Sequence, residues 1–122
     1  MTAALTAELP RDTSAGLLAR HQLEDFGADV STGQMDALKL TVTELVNNAV
    51  VHGMGAIRLS VELRAGVLHG EVSDAGAGIP PPRPGRRGSH RGGWGLQIVD
   101  ETVDAWGTRP GRSVVWFELA VA

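Results

Sequence analysis

The hydrophobic residues change period at Gly53, and that change limits the folds open to the chain. From about Thr32 to His52, the apolar positions Met35, Leu38, Val42, Leu45, Val46, Ala49 and Val50 recur at three and four residues, the period of one helix face. Beyond Gly53 the period falls to two. Ile57, Leu59, Val61 and Leu63 face one way and Arg58, Ser60, Glu62 and Arg64 the other, as in a half-buried strand. Ala65-Gly66 then reads as a hairpin turn into a second strand, Val67 to Ser73.

The flanks extend this pattern. Asp12, Thr13 or Ser14 can cap an earlier helix through Leu17, Leu18, His21, Gln22 and Leu23, closed at Phe26-Gly27 by a glycine suited to a left-handed turn. A short strand is predicted around Ala4 to Leu9. Leu96, Ile98, Val99, Val103 and Trp106 predict a third helix ended by Gly107. Ser113 to Val121 predicts a last strand with Val115, Phe117, Leu119 and Val121 on one face. Such an order does not suggest alternating strand-helix-strand units. It predicts an α+β chain, a two-layer α/β sandwich whose mixed, mostly antiparallel sheet carries helices on one face. No linker or repeat divides the sequence, so residues 1–122 are expected to form one domain.

Composition narrows the function classes. A net charge of -3 gives no overall attraction to nucleic acid phosphates, so direct nucleic acid binding is not expected. The absence of cysteine removes thiolate nucleophiles and Cys-based zinc sites, and four scattered histidines make no metal-ligand pattern. No apolar stretch approaches a membrane span and no signal-peptide pattern opens the chain, so a soluble, cytoplasmic protein is expected.

Three constellations carry chemistry. In "TELVNNAVVHG", Thr43 to Gly53, Glu44, Asn48 and His52 fall on one helical row. Glu44 could accept or position a proton, and the Asn48 amide oxygen suits a hard magnesium ion. The plain alternative is a polar row on a solvated helix, and His52 is favoured near a helix C-terminus without any ligand. Yet Asn47-Asn48 sits among apolar residues in mid-helix, where asparagine is a poor helix former.

In "DAGAG", Asp74 to Gly78, a carboxylate at a strand end can accept from an exocyclic amine while the glycines permit close approach of a planar ligand; an ordinary aspartate-glycine turn is the alternative. In "GGWGLQIVD", Gly92 to Asp100, glycines precede a predicted helix whose first N–H groups suit phosphate, and Arg83, Arg86, Arg87 and Arg91 precede it; a flexible solvated loop is the alternative. Pro80, Pro81, Pro82 and Pro84 exclude a dinucleotide-type loop at Asp74, and no Walker-type Gly-Lys-Ser/Thr motif occurs.

Taken in order, these motifs resemble the three boxes of the gyrase and histidine-kinase ATP-binding superfamily, the Bergerat fold. "ELVNNAVVHG" resembles its N-box, "DAGAG" its Asp-x-Gly-x-Gly box, and "GWGL" the Gly-x-Gly-Leu box after the ATP lid. Within the superfamily, the layout from "LPRDTSAGLLARHQLEDFG" to the last strand is most similar to anti-sigma-factor serine kinases of the RsbW and SpoIIAB type.

The resemblance implies ATP and magnesium as cofactors, Asp74 on the adenine amino group and Asn48 on magnesium. It implies backbone approaches at Gly76, Gly78, Gly93 and Gly95, with His52, Ile79, Arg91, Trp94, Leu96 and Ser113 completing the nucleotide site. Arg91, nearest the third box, would be the phosphate contact, and Ser113 stands where threonine often begins the last strand. Glu44 would be the base for phosphoryl transfer to a serine of a STAS-type anti-anti-sigma partner, and a sigma factor would be the sequestered target. A homodimer is also implied. The competing readings are a nucleotide-binding module that acts by partner binding alone, and a detached catalytic domain serving a histidine kinase.

Overall fold

A computed structural model describes residues 3–76 and 96–121. In chain order these form β1 (Ala3–Leu9), α1 (Ala15–Leu23), a 3-10 turn (Glu24–Phe26), α2 (Thr32–His52), β2 (Ile57–Arg64), β3 (Val67–Ser73), α3 (Leu96–Thr102), β4 (Ala105–Thr108) and β5 (Val114–Ala120). The sheet order is β1-β2-β3-β5-β4, and all four pairings are antiparallel. The expected α+β sandwich is thus present.

Strand alternation explains why one face is covered. Residues paired across strands share a face, and one such row runs Leu5, Val61, Gly70, Phe117 and Trp106. The alternating set Ile57, Leu59, Val61 and Leu63 is buried, as are Leu68, Val72, Phe117 and Leu119. Against it packs the α2 stripe of Leu38, Val42, Leu45, Val46 and Ala49. Each fully buried side chain of this size contributes about 1.5–3 kcal/mol by leaving water. The opposite sheet face carries polar groups: Arg109 Nη2 lies 2.7 Å from Glu71 Oε2, and the Trp116 ring stacks on His69 at 6.1 Å.

Local signals set most element ends. Ser31 caps α2 in a reciprocal box with Gln34: the Gln34 N–H donates to Ser31 Oγ at 3.1 Å and the Ser31 N–H to Gln34 Oε1 at 2.7 Å. At the β2–β3 hairpin both Ala65 (φ 52) and Gly66 (φ 77) have positive φ, the signature of a type I′ turn whose twist matches the strands.

Three expectations are corrected. The third helix stops at Thr102, and Trp106 and Gly107 belong to strand β4. The spacing of Leu96, Val99, Val103 and Trp106 fits a helix, but the Asp104 N–H donates to the Glu118 carbonyl at 3.0 Å and the Ala120 N–H to Asp104 Oδ2 at 2.7 Å. Sheet pairing therefore takes over at that point, and Trp106 is inward-facing, donating to Asp100 Oδ1 at 2.9 Å.

Gly27 is right-handed (φ -58, ψ -30), because the 3-10 turn intervenes before it. Ser14 occupies the α1 N-cap without a side-chain cap bond: both its hydroxyl and its N–H donate to Asp12 Oδ1, which holds the Asp12 carboxyl below its ordinary range. Of α1, the small residues Ala15, Gly16 and Ala19 are buried with Leu23, while Leu17 and Leu18 are exposed.

Candidate functional site

Asp74 follows β3, and alternation decides where it points. Val72 turns inward and Ser73 outward, so Asp74 returns to the helix side. There its carboxylate takes three hydrogen bonds. Ser113 Oγ donates to Oδ2 at 2.8 Å, and the N–H groups of Gly76 and Met54 donate to Oδ1 at 2.7 and 3.2 Å. The backbone is tied as well, the Asp74 N–H donating to the Ser113 carbonyl at 3.1 Å. A carboxylate has about four acceptor positions, so three donors leave room for one more.

The end of α2 must come close for this to happen. A Cβ at Gly53 would lie 2.3 Å from Asp74 Oδ2 and 2.7 Å from the Ala49 carbonyl, so only glycine lets helix and carboxylate meet. The same turn of helix is held from outside. Arg11 Nη1 donates to the Ala49 carbonyl at 2.6 Å, a cation satisfying a C-terminal carbonyl.

Asp74, Ser113, Gly53 and Ala49 line an open cleft between the end of α2 and the sheet. Leu45, Ala49 and Val72 give an apolar wall, and Asn48, His52, Asp74 and Ser113 supply polar groups. Of the predicted residues, Asn48, His52, Asp74, Leu96 and Ser113 thus come together, and Gly76 joins them through its N–H. Glu44 lies one turn further along α2, half-buried and outside the cleft lining. Gly78, Ile79, Arg91, Gly93, Trp94 and Gly95 lie outside the described residues.

Neither Glu44 nor Asn48 has a side-chain hydrogen bond or ion pair with a described residue. The adjacent asparagines divide their work. Asn47 is exposed and sets its Oδ1 over α1, 3.2 Å from where a Cβ on Gly16 would be. Asn48 keeps its amide for the cleft.

Among the described residues no group of three His, Cys, Asp or Glu side chains could hold a metal unaided. That donor set fits a magnesium ion held through one amide oxygen, phosphate oxygens and its own waters.

Sequence reasoning missed Gly53, Thr108 and Arg112 as parts of the site. Thr108 and Arg112 belong to the β4–β5 hairpin and line the cleft beside Ser113. The run "RPGR" was the available signal, since Pro-Gly marks a turn.

Comparison with known proteins agrees with this fold. Residues 9–119 match the Histidine kinase-like ATPase domain family. The anti-sigma F factor of Geobacillus stearothermophilus is 32% identical over 62% of this chain and 60% of its own length, and that of Geobacillus kaustophilus is 31% identical with the same coverage. The chain therefore spans about three fifths of those relatives. Among solved structures, the RsbU and RsbW domains of a Mycobacterium tuberculosis protein superpose with a TM-score of 0.70 at 21% identity, covering 98% of this chain and 32% of that one, a likeness of fold. Among the described residues no helix is long and apolar enough to cross a membrane.

Proposed function

The chain belongs to the histidine kinase-like ATPase domain family, and from that membership we propose that it binds ATP with magnesium and acts in the cytoplasm as an anti-sigma-factor-type protein serine kinase. The observation that carries the reading is the Asp74 carboxylate, fixed by three donors at one end of a cleft whose α2 wall includes Asn48, with Glu44 one helical turn beyond it and outside the lining. Asp74 takes the exocyclic amine of the base through its remaining acceptor capacity. The triphosphate then runs along α2 from Gly53 toward Glu44, a helical span of about 13 Å at ~1.5 Å per residue.

Magnesium bound at Asn48 would neutralise charge on the phosphates. Everything else falls to the chain. Asn48 orients the phosphate end, the apolar wall of Ala49 and Val72 excludes water from the base, and Glu44, one turn beyond Asn48, would meet the serine hydroxyl. As the serine Oγ forms its bond to the γ-phosphorus, its proton passes to the Glu44 carboxylate and the bond to the bridging oxygen breaks, releasing ADP. A STAS-type protein is the acceptor, and a sigma factor is held when it is absent, in keeping with the anti-sigma F factors among the relatives.

The test is transfer of label from γ-labelled ATP to a serine of the STAS partner, compared with Glu44→Ala. Removing a positioned base lowers such rates by about 10²–10⁴-fold. Label on a partner histidine, or a partner that binds without gaining phosphate, would overturn the serine-kinase reading.

A further inference from the structure

The β4–β5 hairpin sends its two arginines to opposite faces of the sheet. The Arg112 N–H donates to the Arg109 carbonyl at 3.2 Å, closing a four-residue turn over Arg109, Pro110, Gly111 and Arg112. Proline in its second position and a glycine at φ 71 in its third are what a type II turn requires.

Arg109 follows Thr108, whose row partner Val115 faces the helices, so Arg109 emerges on the open face and pairs there with Glu71 at 2.7 Å. Arg112 precedes Ser113 and lines the cleft. It is exposed, and its guanidinium has no hydrogen bond or ion pair with a described residue. Its neighbour Ser113 donates to Asp74 Oδ2, so Arg112 stands at the Asp74 end of the cleft.

On the reading that this cleft takes a nucleotide, we propose that Arg112 binds the base, its planar guanidinium set against the purine ring. The chemistry is specific to arginine. A delocalised flat cation packs on an aromatic face, is weakly hydrated and keeps its charge at every working pH, whereas an ammonium is a compact and strongly hydrated point charge. Arg112 has no partner among the described residues to give up, so its donors are available to a ligand. Asp74 would then read the edge of the base while Arg112 covers its face.

The experiment titrates AMP, ADP and ATP into the wild-type chain, Arg112→Ala and Arg112→Lys, with a melting curve for each. Arg112→Ala is expected to weaken all three nucleotides by the same factor, about 3–20-fold, the range of a cation–π contact. Arg112→Lys should recover little of that loss, and all three chains should melt together. A loss that grows from AMP to ATP, or full rescue by lysine, would mean a phosphate contact and overturn the proposal. Equal affinities for wild type and Arg112→Ala would overturn it while leaving the nucleotide reading intact, and a wild-type chain that binds none of the three would overturn both.

Discussion

At the strand end of the cleft, the Asp74 carboxylate is held by donors from three separate segments, Met54 after α2, Gly76 after β3 and Ser113 before β5. Along α2 the contrast is complete: Asn48 and Glu44 have no side-chain partner among the described residues and are placed by the helix backbone alone. The first arrangement resembles a lock already cut, because an acceptor fixed before binding needs little reorganisation when the base arrives. The second leaves its groups without partners among the described residues, and on the proposed function phosphate, metal and acceptor would supply them. On the proposed function, recognition and chemistry are divided between a preformed end and an end completed by ligand, and substitutions should expose that division.

Asp74→Ala should have the largest combined effect. It leaves Ser113 Oγ and two N–H groups without their acceptor, and hydrogen bonds to a charged group are worth about 1.5–3 kcal/mol. ATP affinity should fall by at least about 30-fold, and chemical denaturation should show a loss of about 2 kcal/mol or more. Glu44→Ala should leave denaturation within about 0.5 kcal/mol of wild type, since nothing among the described residues depends on that carboxylate. Equal destabilisation by the two would erase the contrast between the ends.

Gly53→Ala comes next. The new Cβ would fall 2.3 Å from Asp74 Oδ2, forcing helix end and carboxylate apart. Overpacking of this kind costs about 1–3 kcal/mol, and nucleotide affinity should drop about tenfold or more although the residue contacts no base. Wild-type affinity in this variant would show that the Asp74 geometry is looser than three hydrogen bonds suggest.

The smallest effect belongs to the open face, which serves as a control. The Arg109 guanidinium, with a lesser contribution from His69, holds the Glu71 carboxyl below its ordinary value, outweighing the opposing effect of burial. A depressed carboxyl pKa adds stability that is fully present above the unfolded value and is lost as pH falls through the folded one. Both side chains are more than a third exposed, so screening keeps the pair below about 1 kcal/mol. Arg109→Ala should therefore cost that much at pH 7, progressively less as pH falls through the lowered Glu71 value, and no nucleotide affinity at pH 7.

Much of the fold is legible because its elements are long or strictly periodic. Over α2, Leu38 to Ala49 repeat often enough to fix both the helix and its buried face, and the four inward residues of β2 do the same for the sheet. Strand β4 is four residues long, too short for alternation to compete with the helical spacing that Val103 and Trp106 happen to continue. In α1 Leu17 and Leu18 suggest a buried face, but close packing against α2 selects Ala15, Gly16 and Ala19 instead, and of the leucines only Leu23 is buried.

The site divides in the same way. Asn48, His52 and Asp74, which line the cleft, are readable because each sits in a local motif. Gly53 and Arg112 enter only through tertiary approach, one by leaving space for Asp74 and the other by the reach of a hairpin. No spacing along the chain records such distances.

The most direct measurement is calorimetric titration of ATP, with and without magnesium, into the wild-type chain, Asp74→Ala and Asn48→Ala. Wild type should bind ATP more tightly with magnesium. Asn48→Ala should lose that magnesium dependence while keeping affinity for the metal-free nucleotide, and Asp74→Ala should lose affinity under both conditions. Failure of the wild-type chain to bind ATP at millimolar concentration, or equal magnesium dependence in Asn48→Ala, would contradict a nucleotide site built from a fixed base end and a metal-completed phosphate end.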